Sequence, residues 1–393
     1  MRYVLTGGGT GGHVYPNLAI AGELARHDSE AQFLYLGVAR RAEADIVPRH
    51  GIPIRFVPAR GMPTRKASPA MIVFLAALAW GTLKALAILL RYRPRLVVAT
   101  GGYASAPALL AARLLRRPIL VHEQNAYPGL VNRTFGKMAG RVCVSFPESL
   151  VHFQHNGKLV GYPVRPEIFA LRAGIDPAEK ARRKQELGID PARQVVLITG
   201  GSLGARSINR AVADLLPLIA DDETLRRRVY LVHAVGRFAS KEYHAVEDTL
   251  ARLHKRGIAE EAAADFYRRE TYLYEIENWL RVADVVVGRA GAGTLTEIAA
   301  TGLPAVVIPK SGLPGDHQVK NAEALREAGA CLVLREERAR DNGEAYDSIS
   351  PERLLGALRE LLDLPDERRA AMREAALGFV HGDTLGAIRA EAM

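Results

Sequence analysis

Residues 2–13 read RYVLTGGGTGGH, and residues 195–205 read VVLITGGSLGA. Each is a short apolar run that ends in glycines and leads into a helical pattern. A continuous apolar run of this length suits a strand buried on both faces. Glycines at its end permit positive φ and let the backbone come close to an anion. Further apolar runs at 32–37, 96–99, 119–121, 141–144, 229–234, 284–287, 305–308 and 331–334 read as strands with helical stretches between them. This alternation predicts an α/β protein with two Rossmann-like, doubly wound parallel sheets. Ligands of such sheets bind at the carboxyl ends of strands, where both glycine loops lie, so a cleft between two domains is expected.

A break falls at 163–193, where the proline-bearing Gly161–Pro166 segment gives way to the charged run AEKARRKQELGIDPARQ. Residues 240–270 read as a surface helix pair, 335–350 as a polar loop and 365–393 as helical. The chain has 393 residues, enough for two domains of ordinary size. Cys143 and Cys331 stand far apart, which suggests neither a disulfide framework nor a cysteine-based zinc site and points to a reducing compartment. The chain enters its first strand at once, without the layout of a signal peptide.

The net charge of +10 leaves nucleic acid, an anionic membrane surface or anionic substrates as partners. No nucleic-acid-binding motif occurs, so the last two lead. Residues 70–90, AMIVFLAALAWGTLKALAILL, are the most apolar run, flanked by Arg60, Arg65, Lys66, Arg91, Arg93 and Arg95. A spanning helix needs about 20 apolar residues, and Lys84 near the middle argues against a span. Two readings stay open: a buried helix of the first domain, or a helix with an exposed apolar face and basic rim that dips into the lipid interface.

Gly7, Gly9 and Gly12 give the G-x-G-x-x-G spacing of a phosphate-binding turn between strand and helix. Dinucleotide binding also needs an acid at the tip of the second strand, and strand 32–37 is followed by Val-Ala-Arg-Arg. NAD is therefore disfavoured and the diphosphate of another ligand preferred. His13 follows the loop at a helix start, where a neutral imidazole can accept a hydroxyl proton. Gly101-Gly-Tyr-Ala-Ser-Ala-Pro107 and His122-Glu-Gln-Asn125 end two more strands with polar groups, either as turns or as hydrogen-bonding partners of an acceptor. Arg289–Glu297 offers small residues before a helix expected near Thr294, a phosphate site. Glu297 follows as a ribose acid, or as a capping-box partner. His317 and Gln318 suit sugar hydroxyls, and the ligands a metal would need are not found beside them.

The segments GGGTGGHVYPNLAIAGEL, GGYASAPALLAA, HEQNAYPGLVNR, GYPVR, TGGSLGARSIN, RAGAGTLTEIAATGLPAVVIP and DHQVKNA occur in this order over residues 1–335. Together they resemble the MurG family of GT-B glycosyltransferases, the N-acetylglucosaminyltransferases that convert lipid I to lipid II in peptidoglycan synthesis. The resemblance implies a GT-B fold, an inverting transfer from UDP-GlcNAc without cofactor or essential metal, and peripheral attachment to the inner face of the cytoplasmic membrane. It divides the chain into an acceptor-binding, membrane-associated domain at 1–163, a UDP-GlcNAc-binding domain at 164–375 and a C-terminal helix at 376–393 that packs back toward the first domain.

Residue by residue, the resemblance makes His13 the general base for the muramyl 4-hydroxyl. It gives Thr10, Gly11 and Gly12 to the acceptor diphosphate or to a donor hydroxyl. Gly8, Gly9, Tyr103, Ser105 and Glu123 fall on the acceptor side, and Asn125 also touches the donor sugar. Arg165 and Ser202 contact the donor, Leu273 reads uracil through its backbone, and Ala292, Gly293 and Thr294 hold the α-phosphate. Glu297 takes the ribose, and His317 and Gln318 read the GlcNAc hydroxyls. Three departures bear on fine specificity. Tyr162 replaces a small polar residue, the Lys310–Gly315 loop lacks the usual aromatic, and the 335–350 segment and the tail are long. The rival readings are another GT-B glycolipid glycosyltransferase, a UDP-GlcNAc epimerase and a non-catalytic sugar-nucleotide-binding protein.

Overall fold

The computed structural model describes residues 1–63, 68–237, 243–313, 316–341 and 344–393. Arg65 and Lys66 of the basic flank, and Pro314 and Gly315 of the 310–315 loop, lie outside them. By internal packing the chain forms two compact units, Met1–Arg165 with His381–Met393, and Pro166–Val380.

Seven strands build the first unit: β1 Arg2–Thr6, β2 Gln32–Gly37, β3 Ile54–Phe56, β4 Leu96–Ala99, β5 Ile119–Glu123, β6 Arg141–Val144 and β7 Gly157–Leu159. They pair in parallel in the order β3-β2-β1-β4-β5-β6-β7. Val4, Val97 and Ala99 pack into the core on one face, and Tyr3, Leu5 and Val98 into the core on the other. That explains the unbroken apolar runs, since the pleat sends alternate side chains to opposite faces and both faces are covered. The strand order reverses between β1 and β4, so a crevice opens beyond their carboxyl ends. Gly7–Gly12 and Gly101–Gly102 stand there.

The second unit repeats the plan. Strands β8 Gln194–Thr199, β9 Val229–Ala234, β10 Tyr267–Glu270, β11 Val285–Arg289, β12 Ala305–Ile308 and β13 Leu332–Val333 pair in parallel in the order β10-β9-β8-β11-β12-β13. Here the reversal falls between β8 and β11, beside Gly200–Ser202 and the turn after Arg289.

Three segments depart from the sequence reading. Of the segment 240–270, the described residues 243–270 hold one helix, Ala245–Lys255, a single turn Glu260–Ala263 and then β10. The segment expected to be a loop at 335–350 is an antiparallel hairpin, β14 Glu337–Asp341 and β15 Glu344–Ser348. Cross-strand pairing of Arg338 with Asp347 gives this polar hairpin an ion pair at 3.3 Å. The apolar run at 70–90 forms the helix Pro69–Tyr92, and it is not buried.

That helix covers only Gly81, Thr82, Ala85 and Leu89, packing on the helix Ala106–Leu114. Gly81 permits the approach, because a Cβ there would lie 2.1 Å from the Pro58 carbonyl oxygen. Ile72, Leu75, Trp80, Leu83 and Leu90 are more than half exposed, with Ile72 at 71%. The helix is long and apolar enough to cross a membrane, by length and composition alone. The C-terminal helix Thr384–Ala392 lies on the helix Gly11–His27, and Glu391 pairs with Arg141 at 2.8 Å and Lys158 at 2.6 Å.

Candidate active site

The crevice of the first unit is made by two glycine turns that touch. Gly8 N–H donates to Gly101 O at 3.3 Å, and a Cβ on Gly102 would lie 2.3 Å from Gly8 O. Gly9, Gly101 and Gly102 all have φ between +79° and +94°, a region that side chains with a Cβ rarely enter.

Beneath the loop lies Glu43, a residue without a role in the sequence reading. It is fully buried, and its Oε2 accepts from Gly9 N–H at 2.9 Å while Oε1 accepts from Val38 N–H at 3.0 Å. A carboxylate does therefore stand beside the glycine loop, but it comes from the helix Ala42–Arg49 rather than from the tip of β2, and its oxygens bind backbone. With the Gly8 and Gly9 N–H groups engaged inside the protein, the groups left to meet an anion are those of the next residues. The helix Gly11–His27 starts after Thr10, whose side chain makes no capping bond. The first-turn N–H groups of Gly11 and Gly12 thus lack an intrahelical acceptor.

His13 is half-buried in that first turn. Its Nδ1 lies 2.9 Å from Thr100 O and 3.2 Å from Gln124 Oε1. Its Nε2 makes no hydrogen bond among the described residues. Tyr103 stands beside the loop with the Arg41 guanidinium 5.9 Å from its ring centre.

Two residues expected to touch the acceptor are turned inward. Ser105 is fully buried and donates to Gly102 O at 2.8 Å, closing its own turn. Glu123 is 1% exposed. Its Oε1 accepts from Asn125 N–H at 2.8 Å and Asn125 Nδ2 at 3.2 Å, and its Oε2 from Gly129 N–H at 3.0 Å and Asn132 Nδ2 at 2.9 Å. Four donors use the lone pairs of this carboxylate, so it shapes the turn that holds Asn125 rather than reaching a ligand. Arg165, expected in the donor domain, is the last residue of the first unit, and its guanidinium stacks 4.7 Å over Tyr15.

In the second unit the helix after β11 begins at Ala292, not near Thr294, with Gly291 as its cap. Ala292, Gly293 and Thr294 are then the first three helical residues, and their N–H groups lack intrahelical acceptors at the reversal of strand order. The same offset puts Glu297 beyond the third helical position that a capping box requires. Glu297 is half-buried on the second turn.

Arg289 ends β11 just before this turn. Its Nη2 lies 2.7 Å from Glu336, a residue just before the 337–348 hairpin, and 2.7 Å from Ser207 Oγ. Lys310 pairs with Asp347 on β15. Gln318, at the start of the helix His317–Glu327, accepts from Lys310 N–H at 3.0 Å through Oε1. His317 precedes it, after Asp316 in the left-handed region at φ 45°. Ser202 lies in the glycine turn after β8, where its carbonyl accepts from Arg237 N–H at 3.3 Å. Leu273 follows β10 between Tyr272 and Tyr274, whose rings meet edge to face at 4.7 Å, with Arg237 over both at 4.1 and 5.4 Å. This aromatic and cationic frame around Leu273 was missed in sequence because its parts come from two separate loops. Among the described residues no three His, Cys, Asp or Glu side chains converge as a metal-ligand set.

Two doubly wound parallel-sheet units, each with a glycine turn and a helix N-terminus at its reversal of strand order, define the GT-B class of glycosyltransferases. Residues 3–144 match the glycosyltransferase family 28 N-terminal domain and residues 195–382 the glycosyltransferase family 28 C-terminal domain. A UDP-N-acetylglucosamine–N-acetylmuramyl-(pentapeptide) pyrophosphoryl-undecaprenol N-acetylglucosamine transferase of Desulforudis audaxviator is 37% identical over 378 residues, covering 96% of this chain and 93% of its own length. The enzyme of that name from Moorella thermoacetica is 39% identical over 356 residues, covering 89% of each chain. The crystal structure of Acinetobacter baumannii MurG superposes with a TM-score of 0.65 at 25% identity, covering 100% of this chain and 99% of that one. The chain belongs to glycosyltransferase family 28 and is a glycosyltransferase.

Proposed function

We propose that this enzyme transfers N-acetylglucosamine from UDP-GlcNAc to the muramyl 4-hydroxyl of lipid I, with inversion, giving lipid II. The relatives named above carry the name of this transfer. The observation that carries the chemistry is the state of His13: its Nδ1 is bound to protein oxygens and its Nε2 is not. A histidine so held, in the first turn of a helix beside uncapped N–H groups, can take a hydroxyl proton next to a bound diphosphate.

In this reading Gly11, Gly12 and Thr10 hold the lipid I diphosphate and Tyr103 and Asn125 face the sugars. Ala292, Gly293 and Thr294 bind the α-phosphate of UDP-GlcNAc, Glu297 its ribose, Leu273 its uracil, and His317 and Gln318 its GlcNAc hydroxyls. Ser202 and Arg165 add donor contacts. As His13 Nε2 takes the hydroxyl proton, the oxygen attacks the anomeric carbon from the side opposite UDP, and a single displacement gives the β-glycoside. Charge on the departing UDP is met by the helix N-terminus at Ala292 and by Arg165.

The helix Pro69–Tyr92 would rest on an anionic cytoplasmic membrane surface. Its exposed face carries Ile72, Leu75, Trp80 and Leu83, while Arg91, Arg93 and Arg95 lie at its end.

Radiolabelled UDP-GlcNAc with and without a lipid I analogue tests the transfer. Label should enter the glycolipid only when acceptor is present. Label turned over without acceptor would make the protein an epimerase or hydrolase, and binding without turnover would make it a sugar-nucleotide carrier. His13→Ala should lower turnover by roughly 10²–10⁴-fold with both substrates still bound. Near-wild-type turnover in that variant removes His13 as the base.

A further inference from the structure

His122 lies near the end of β5 and Gln124 just after it, and neither has a place in the scheme above. Both are buried, at 0% and 2% exposure. Their hydrogen bonds run from Gly161 to His13, and the protons along the path can be assigned in turn.

Gly161 O can only accept, so His122 Nε2, 3.0 Å away, carries the hydrogen of that ring. Burial pushes His122 down to about 4, so near neutral pH the ring holds a single proton and Nδ1 is an acceptor. The Tyr162 ring contributes to that burial, edge-on to His122 with centroids 6.4 Å apart. Gln124 Nε2 lies 3.2 Å from His122 Nδ1 and 2.8 Å from His122 O. Two acceptors around one end of the amide fix which end is nitrogen. Its oxygen is the end that faces His13 Nδ1, at 3.2 Å, and Thr100 O is a second acceptor at 2.9 Å from the same nitrogen. Nδ1 of His13 therefore carries the hydrogen, which makes Nε2 the nitrogen with the lone pair in the neutral ring.

We infer that Gln124 is a positioning residue for glycosyl transfer: with the Thr100 carbonyl it holds the His13 proton on Nδ1 and leaves Nε2 as the base. This rests on the reading of His13 as the base. The choice of an amide matters. A carboxylate in its place would favour the imidazolium and empty Nε2 of its lone pair near neutral pH, whereas an amide oxygen orients the ring without adding charge. An apolar side chain would leave one acceptor on Nδ1 and free the ring to turn. Among the described residues, the titratable and charged groups around His13 include Glu43 under the loop, His122 and Glu123 at the end of β5, Arg41 over Tyr103 and Arg165 over Tyr15. They are the same in wild type and variants, so a difference reads position 124 alone.

The test is a pair of measurements on the full chain. Two-bond ¹H–¹⁵N spectra of protein labelled with ¹⁵N-histidine report the tautomer and titration of His13, with its signals assigned from His13→Ala. The pH dependence of kcat and the KM for UDP-GlcNAc report its use. Wild type should show hydrogen on Nδ1, a result that needs no variant to fold. Gln124→Glu should raise the His13 titration by about one to two pH units, and the acid limb of kcat should move with it at an unchanged KM. Gln124→Leu should give mixed tautomers and lower kcat by about tenfold, with Gln124→Glu recovering turnover above its shifted limb. A merely structural role would lower stability and leave tautomer and limb in place. Hydrogen on Nε2 in wild type, or an unmoved titration in Gln124→Glu, overturns the proposal. A titration that moves while the kcat limb stays removes His13 as the base and leaves the control of its tautomer standing.

Discussion

Glu43 Oε2 accepts a hydrogen bond from Gly9 N–H at 2.9 Å, so the glycine loop rests on a buried carboxylate brought from another helix. Glu43→Ala would leave the Gly9 and Val38 N–H groups without their acceptors. The expected loss of stability is roughly 1–3 kcal/mol, read as a lower midpoint in urea unfolding, together with a fall in turnover. Glu43→Gln keeps one acceptor oxygen and should recover part of both. An unchanged midpoint in Glu43→Ala would show that the loop does not need this support.

Gly102→Ala places a methyl group 2.3 Å from Gly8 O at a residue with φ +79°. Either turn must move, and both border His13. Turnover should fall by at least about tenfold, in line with a small misplacement of the catalytic group. Gly22→Ala is the control: it lies inside the helix Gly11–His27 with nothing within 4 Å of the added Cβ. It should keep wild-type turnover and gain about 0.5–1 kcal/mol. Equal behaviour of the two variants would refute the close-contact account.

Arg289 and Glu336 form a buried pair, with side chains 11% and 3% exposed. Glu336→Ala strands a guanidinium beside the turn assigned to the α-phosphate. The expected destabilisation is about 3–5 kcal/mol, and the affinity for UDP should fall with it. Isothermal titration with UDP and chemical unfolding measure the two effects. Replacing Arg289 as well, in Arg289→Met with Glu336→Leu, should return much of the stability without returning the affinity. Full recovery of both would mean that Arg289 has no part in shaping the donor site.

Trp80 and Leu83 stand 54% and 57% exposed on the helix Pro69–Tyr92. Trp80→Glu with Leu83→Glu should lower partition onto phosphatidylglycerol vesicles by at least about tenfold, while turnover of a short-chain soluble acceptor stays within about twofold. Raising salt should weaken wild-type partition through the basic end of the helix. Wild-type protein that ignores anionic vesicles would remove the membrane role.

The elements most legible in sequence are those whose physics is local. Strands such as Gln194–Thr199 are read from unbroken apolar runs because both faces of the sheet are covered. The strands not anticipated, Ile54–Phe56, Gly157–Leu159 and Tyr267–Glu270, stand at or next to the sheet edges or carry charged residues, and hold no such run. The 337–348 hairpin was hidden for the same reason, since its pairing rests on register and on charges such as Arg338 and Asp347 rather than on apolar alternation. Glu43 is not legible as the loop's carboxylate because it stands on the helix after β2 rather than at the tip of that strand.

By itself the sequence determined where the glycine turns fall, which strands carry them, and that helices open beside them, near His13 and within two residues of Thr294, because strand burial, positive φ and helix starts depend on near neighbours in the chain. Only the tertiary structure decided which polar groups are left to act. Glu123 and Ser105 look like ligand contacts until Asn132, Gly129 and Gly102 are seen to bind them, whereas only the Nδ1 side of the His13 ring is held, by Thr100 and Gln124. A hydrogen bond depends on distance in space and not on separation along the chain, so the division between structural and available groups is settled only when β1, β4 and β5 lie side by side.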